Sequence, residues 1–79
     1  MKLLVIEDDP TVWQFVKRGL EEQRWSVDLV TDGEEGEALA RSQPYDLVVL
    51  DLRLPGRSGE QVLRNLRARG FEKPILVLT

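Results

Sequence analysis

Three aliphatic runs of the same length punctuate the chain: Leu3-Leu4-Val5-Ile6, Leu47-Val48-Val49-Leu50 and Ile75-Leu76-Val77-Leu78. Consecutive apolar positions of this length are the pattern of parallel strands covered on both faces. A fourth stretch differs. Val27, Leu29 and Thr31 alternate with Asp28 and Val30, which suits a half-exposed edge strand. The segments between the strands carry helical spacing instead. Val12, Phe15, Val16 and Leu20 form one apolar stripe that ends near Gln23, with Trp13 off the stripe and partly exposed. Asp9 reads as the cap of this helix rather than as a ligand, and Pro10 sits at its first position, where a missing N–H costs nothing. A weaker helix follows Asp32-Gly33 around Leu39 and Ala40 and closes at Pro44; Gly36 lowers its intrinsic propensity. Ser58 and Gln61 have capping-box spacing, so a third helix starts near Gly59. It carries Val62, Leu63 and Leu66, and Gly70 stops it before Pro74.

The order βαβαβαβ with short connections predicts right-handed crossovers and an α/β, doubly wound, mainly parallel sheet. Ile75 to Leu78 has the pattern of a strand covered on both faces, yet no further element follows it in the sequence. The expectation is an apolar edge, either because the chain is a fragment of a longer domain or because a partner covers it. Association into a homodimer or larger species through that edge is part of this expectation.

Composition narrows the chemistry. The 79 residues, 42% hydrophobic and 32% charged, make one small soluble domain. Four-residue aliphatic runs are too short for a membrane span or a signal-peptide core, so a cytoplasmic protein without membrane contact is expected. With no Cys there is no disulfide, thiolate zinc site or cysteine nucleophile. With no His there is no imidazole base, and any phosphohistidine donor must be another molecule. The net charge of −3 is uneven, since residues 1–39 hold ten acidic and four basic side chains. Arg53, Arg57, Arg64, Arg67 and Arg69 read as a solvated face, because no aromatic or groove-reading element accompanies them. Direct DNA binding by these arginines is not expected.

The chemistry gathers where the runs end. The first meets Glu7-Asp8-Asp9, the second meets Asp51, and the third meets Thr79. Open α/β sheets bind ligands at the carboxyl edge of their strands. Two carboxylates about 5 Å apart repel by roughly 3 kcal/mol at an effective dielectric near 20. Without compensation one of them takes up a proton. A divalent cation is the other answer, and carboxylates, a backbone carbonyl and waters suit Mg²⁺. Such a metal offsets the negative charge that otherwise keeps a phosphoryl group away from an aspartate. Asp51, alone at the end of a central strand, is the best acceptor. The loop after it, with Pro55, Gly56 and Gly59, can turn a carbonyl back toward the metal, and the Thr79 hydroxyl could bond a phosphoryl oxygen.

Val5-Ile6-Glu7-Asp8-Asp9, then Leu47 to Gly59 including Asp51-Leu52-Arg53-Leu54-Pro55-Gly56, then Pro74 to Thr79, match a known pattern in order, type and spacing. On these stretches the chain resembles a response-regulator receiver domain of two-component signalling, with the flavodoxin/CheY-like fold. The resemblance implies that Asp51 accepts a phosphoryl group from a sensor histidine kinase. It implies that Asp8 is a direct Mg²⁺ ligand, that Glu7 acts through a metal-bound water, and that the Arg53 backbone carbonyl completes the set. Thr79 matches the hydroxyl residue that moves toward the phosphoryl group. The Leu-Pro-Gly turn is similar to the subfamily that controls transcription through a winged-helix domain. By this likeness, residues 1–79 are the N-terminal part of a receiver, without the fourth helix, the lysine-bearing fifth strand, the fifth helix or a DNA-binding output domain. A conventional enzyme is not implied.

Other classes fit less well. A haloacid-dehalogenase-like phosphatase wants a second acid two positions after the first, where Arg53 stands. A flavodoxin-like FMN binder needs a Ser/Thr/Gly phosphate loop where Glu7-Asp8-Asp9 would repel the phosphate. A fragment whose only behaviour is association through the last strand remains the non-enzymatic alternative.

Overall fold

A computed structural model describes residues 1–78; Thr79 lies outside the described residues. Seven elements alternate: β1 (Lys2–Ile6), α1 (Pro10–Glu21), β2 (Ser26–Val30), α2 (Gly33–Ser42), β3 (Leu47–Asp51), α3 (Gly59–Ala68) and β4 (Ile75–Leu78). The four strands form one parallel sheet in the order β2-β1-β3-β4. The two runs that end in acids are therefore its central pair, and the alternating strand β2 is an edge as expected.

The helix starts follow from local chemistry. Asp9 Oδ1 accepts from the Thr11 amide at 2.9 Å, Asp32 Oδ1 from Glu34 at 2.9 Å, and Ser58 Oγ from Gln61 at 3.2 Å. Each satisfies an amide that the first helical turn leaves without a partner. Gly70 ends α3 at φ 83°, the left-handed stop its position predicts.

The chain steps from β1 to β2, then back across β1 to β3 and onward to β4. Right-handed crossovers then place α1 on one face of the sheet and both α2 and α3 on the other. The latter face holds the main core, where Leu4, Ile6, Val48 and Leu50 pack against Ala40, Tyr45, Val62 and Leu66. Gly36 is explained here. A methyl group on it would stand 2.6 Å from Ile6 Cδ1, so α2 gains close approach to β1 in exchange for about 1 kcal/mol of helix propensity.

The opposite face differs from the expectation. Leu3, Val5 and Val49 are at most 1% exposed, yet α1 has no fully buried residue and Phe15 is 82% exposed. Leu76, in register with Val49, is 54% exposed. So Phe15 does not pack inward with its stripe, whereas β4 stands as the expected apolar edge. The reason is geometric: α1 lies mainly against β2, and one helix does not span a four-stranded sheet. In β2, Val30 is the core residue, while Val27 and Leu29 are half-buried and Thr31 is exposed beyond the strand end. Asp28 is not simply the polar side of an edge strand. Its Oδ2 accepts from the Tyr45 hydroxyl at 2.6 Å, and the Tyr45 ring is buried.

Burial and the Asp28 carboxylate push the Tyr45 phenol up to about 12 from its ordinary 10.0. The folded chain holds this proton more tightly than the unfolded chain does. The stabilisation is therefore complete below pH 10.0 and is lost as pH rises toward about 12. A hydrogen bond to a charged acceptor is worth about 1.5–3 kcal/mol. Tyr45→Phe is expected to lower stability by about that amount at pH 7. In urea titrations it also flattens the loss of stability between pH 10 and 12; a wild-type curve and a variant curve of equal slope there would contradict this assignment.

Candidate functional site

The register between the central strands assembles the site. Ile6 pairs with Leu50, so the next residues, Glu7 and Asp51, come side by side at the carboxyl edge of the sheet. The Glu7 amide still donates to the Val30 carbonyl at 3.0 Å, which keeps this residue in strand geometry just past β1. Asp8 follows where the chain leaves the sheet. One carboxylate oxygen from each of Glu7, Asp8 and Asp51 lies within 4.8 Å of the others.

The three acids differ in burial: Glu7 is 3% exposed, Asp51 is intermediate and Asp8 is exposed. They line an open cleft of about 320 Å³ together with Arg53 and Leu78. Backbone amides orient two of the three carboxylates. Asp9 N–H donates to Glu7 Oε1 at 2.9 Å, and Arg53 N–H donates to Asp51 Oδ1 at 3.1 Å. Gly59, the first residue of α3, packs directly on the Asp51 carbonyl, where any side chain would collide. Asp9 serves as a helix cap, as expected.

Burial is the main influence that raises the Glu7 carboxyl above its ordinary value of 4.5. The Asp9 amide opposes this, and the neighbouring Asp51 and Asp8 charges add to the rise. The donor set fits a hard divalent cation. It is all oxygen and doubly or triply anionic, and it opens on one side to solvent that can complete the coordination shell.

Of the residues singled out in the sequence, Glu7, Asp8 and Asp51 meet, and Arg53 lines the same cleft. Thr79 lies outside the described residues. One arginine departs from the solvated-face reading. Arg57 Nη1 pairs with Glu37 Oε2 at 3.0 Å, and the Glu37 side chain is 6% exposed. Sequence reading passed over Glu37, although a signal exists: Gly33, Gly36, Glu37 and Ala40 fall on one helical face and are all buried.

Comparison with known proteins agrees with this geometry. The family model described as "Response regulator receiver domain" matches residues 3–79. The transcriptional regulatory protein QseB of Escherichia coli O157:H7 is 44% identical over 79 residues, covering 100% of this chain and 36% of that protein. The chain thus spans about a third of the length of the curated relatives it matches. Among solved structures, the receiver domain of sensor histidine kinase PA1611 from Pseudomonas aeruginosa, with a magnesium ion in its active site cleft, is 34% identical. It superposes with a TM-score of 0.92, covering 99% of this chain and 66% of that one. The complex of histidine kinase ThkA with the response regulator TrrA, a Thermotoga maritima protein, matches with 35% identity and a TM-score of 0.88, covering 99% of this chain and 67% of that one. With the family model spanning nearly every residue and the parallel sheet superposing so closely, the chain belongs to the response regulator receiver domain family.

Proposed function

We propose that this chain is a phosphoacceptor module that takes a phosphoryl group from a sensor histidine kinase onto Asp51, with Mg²⁺ bound beside it. The observation that carries this reading is the convergence of Glu7, Asp8 and Asp51 within 4.8 Å at an open sheet edge. Asp8 and Asp51 would hold the ion directly, Glu7 through a bound water, and Arg53 through its backbone carbonyl. Bound there, Mg²⁺ supplies positive charge that lets an anionic phosphoryl group approach a carboxylate. Asp51 needs no base, since its carboxylate is already the nucleophile. Its oxygen forms the new bond to phosphorus while the bond from phosphorus to the donor imidazole nitrogen breaks, and the electron pair leaves with the imidazole. A chain without histidine receives but does not donate in this way. The names of its relatives support control of transcription as the output of the whole protein.

Incubation with a small acyl phosphate and Mg²⁺ is expected to add one phosphoryl mass to the wild type and none to Asp51→Asn. Labelling of both, or of neither, would refute the acceptor assignment.

Metal binding should report the separate roles. Glu7 with its raised pKa keeps its proton at a higher pH than an ordinary carboxyl, and that proton must leave when a cation arrives. Mg²⁺ affinity is therefore expected to rise with pH from 4.5 through the raised value, then level off. The metal-free protein behaves in the opposite sense. Its native state binds this proton more tightly than the unfolded chain, so it loses stability across the same interval. In calorimetry, Asp8→Ala is expected to weaken Mg²⁺ binding more than Glu7→Ala, because it removes a direct ligand. Equal losses would reverse the roles.

A second reading has its own observation. The exposed Leu76 on edge strand β4, on the same face as Val49, supports association through that edge. Light scattering is expected to show mass above the monomer that Leu76→Lys reduces. A monomer at every concentration would discard this reading. No helix among the described residues is long and apolar enough to cross a membrane.

A further inference from the structure

The loop between β3 and α3 carries Arg53 past the acid cleft, yet its tip has little to hold it. Its amide bonds to Asp51 and to Leu52 lie at its two ends, from Arg53 and Gly59. Between them, Leu54 packs on the core and Arg57 reaches across to α2. There the Arg57 guanidinium meets Glu37, a carboxylate that a helical face carries into the interior. Asn65 of α3 donates to the other Glu37 oxygen at 2.9 Å, and Gln61 donates to Asn65 at 2.9 Å. The Arg57 carbonyl also lies against Gly33 so closely that no side chain fits there.

We infer that the Glu37–Arg57 pair is a positioning clamp. It ties the loop to α2 and α3 and thereby fixes Arg53 against Asp51. The physical reason is the inequality of the two partners. Arg57 is a third exposed and can satisfy itself in water, whereas Glu37 is nearly sealed. A buried carboxylate without its cation is strongly disfavoured, so Glu37 holds Arg57, and with it the loop, in one arrangement. The clamp lies away from the cleft, and neither residue lines it. Its effect on metal binding rests on the Mg²⁺ reading above; its effect on the loop does not.

Two measurements separate these layers. The first is amide hydrogen exchange at Arg53 and Gly59 in the metal-free chain, read by NMR. The second is Mg²⁺ affinity by calorimetry. Arg57→Met is expected to speed exchange at both amides and to weaken Mg²⁺ binding about tenfold, the scale on which residues that orient metal ligands act. Arg57→Lys keeps the charge and is expected to restore most of both. The double variant Glu37→Leu with Arg57→Met leaves no buried charge without a partner, so it keeps the fold even if Arg57→Met alone does not. It too is expected to show the faster loop exchange. If either unclamped variant shifts the melting temperature but keeps wild-type exchange at Arg53 and Gly59, the pair is only a stabilising contact and the inference fails. If exchange rises while the wild type itself binds no Mg²⁺, the clamp stands and the metal assignment falls.

Discussion

The alignment of β1 with β3 decides whether a site exists at all. Both runs are aliphatic at every position, so the usual safeguard against a slipped register, an apolar face against a polar one, is missing. Charges at both ends of each run replace it. Lys2 and Asp46 stand before the first and second runs, and Glu7 and Asp51 stand after them. At the amino end, Asp46 N–H donates to the Lys2 carbonyl at 2.8 Å, and Lys2 N–H donates to an Asp46 carboxylate oxygen at 2.8 Å. Sliding either strand by one position would draw a charged residue into the core. The arrangement that keeps all four at the ends of the runs is the one that sets Glu7 beside Asp51.

Magnitudes show why the chain tolerates that neighbourhood. Each close carboxylate pair costs roughly 3 kcal/mol at an effective dielectric near 20. Fully burying an aliphatic side chain returns about 1.5–3 kcal/mol, and seven of the eight in these two runs are buried. The strands therefore force the acids together. The repulsion is left unrelieved in the protein itself, and it adds to the burial that chiefly raises the Glu7 carboxyl. A cation is the partner that this tension favours.

The sequence displayed the parts of the molecule that depend on local spacing. Asp9-Pro10, Ser58 with Gln61, Gly70 and the acid-terminated runs all depend on neighbours within a few positions, and the structure places them as expected. What it concealed depends on distant coverage. The stripe of α1 states that Phe15 could be buried; whether anything lies over it is decided by how far one helix extends across four strands. For Ile75 to Leu78, by contrast, the sequence already pointed to an apolar edge, and the strand stands at one. Buried polar groups leave a fainter trace still. Asp28 and Tyr45 are seventeen residues apart, and Glu37 and Asn65 are twenty-eight apart, so no periodic pattern links either pair. A charged residue on an otherwise small and apolar helical face is the one clue that would have exposed Glu37.

These features give Asp51 two unequal flanks. Toward β1 it is fixed by a register that charges guard at both ends. Behind it, the loop is tied through Arg57 to a carboxylate that is nearly sealed from water. Toward β4 the ladder weakens: the bond from the Leu52 amide to the Leu78 carbonyl is 3.4 Å, longer than the 3.0 Å between Glu7 and Val30 on the other side of the sheet. Leu76 on that strand is half in solvent. Movement around the acids is therefore easiest at β4, where packing is thinnest, and harder at Glu7 and Asp51, which backbone amides hold. A site built this way holds its ligands in place from one side and stays compliant on the other.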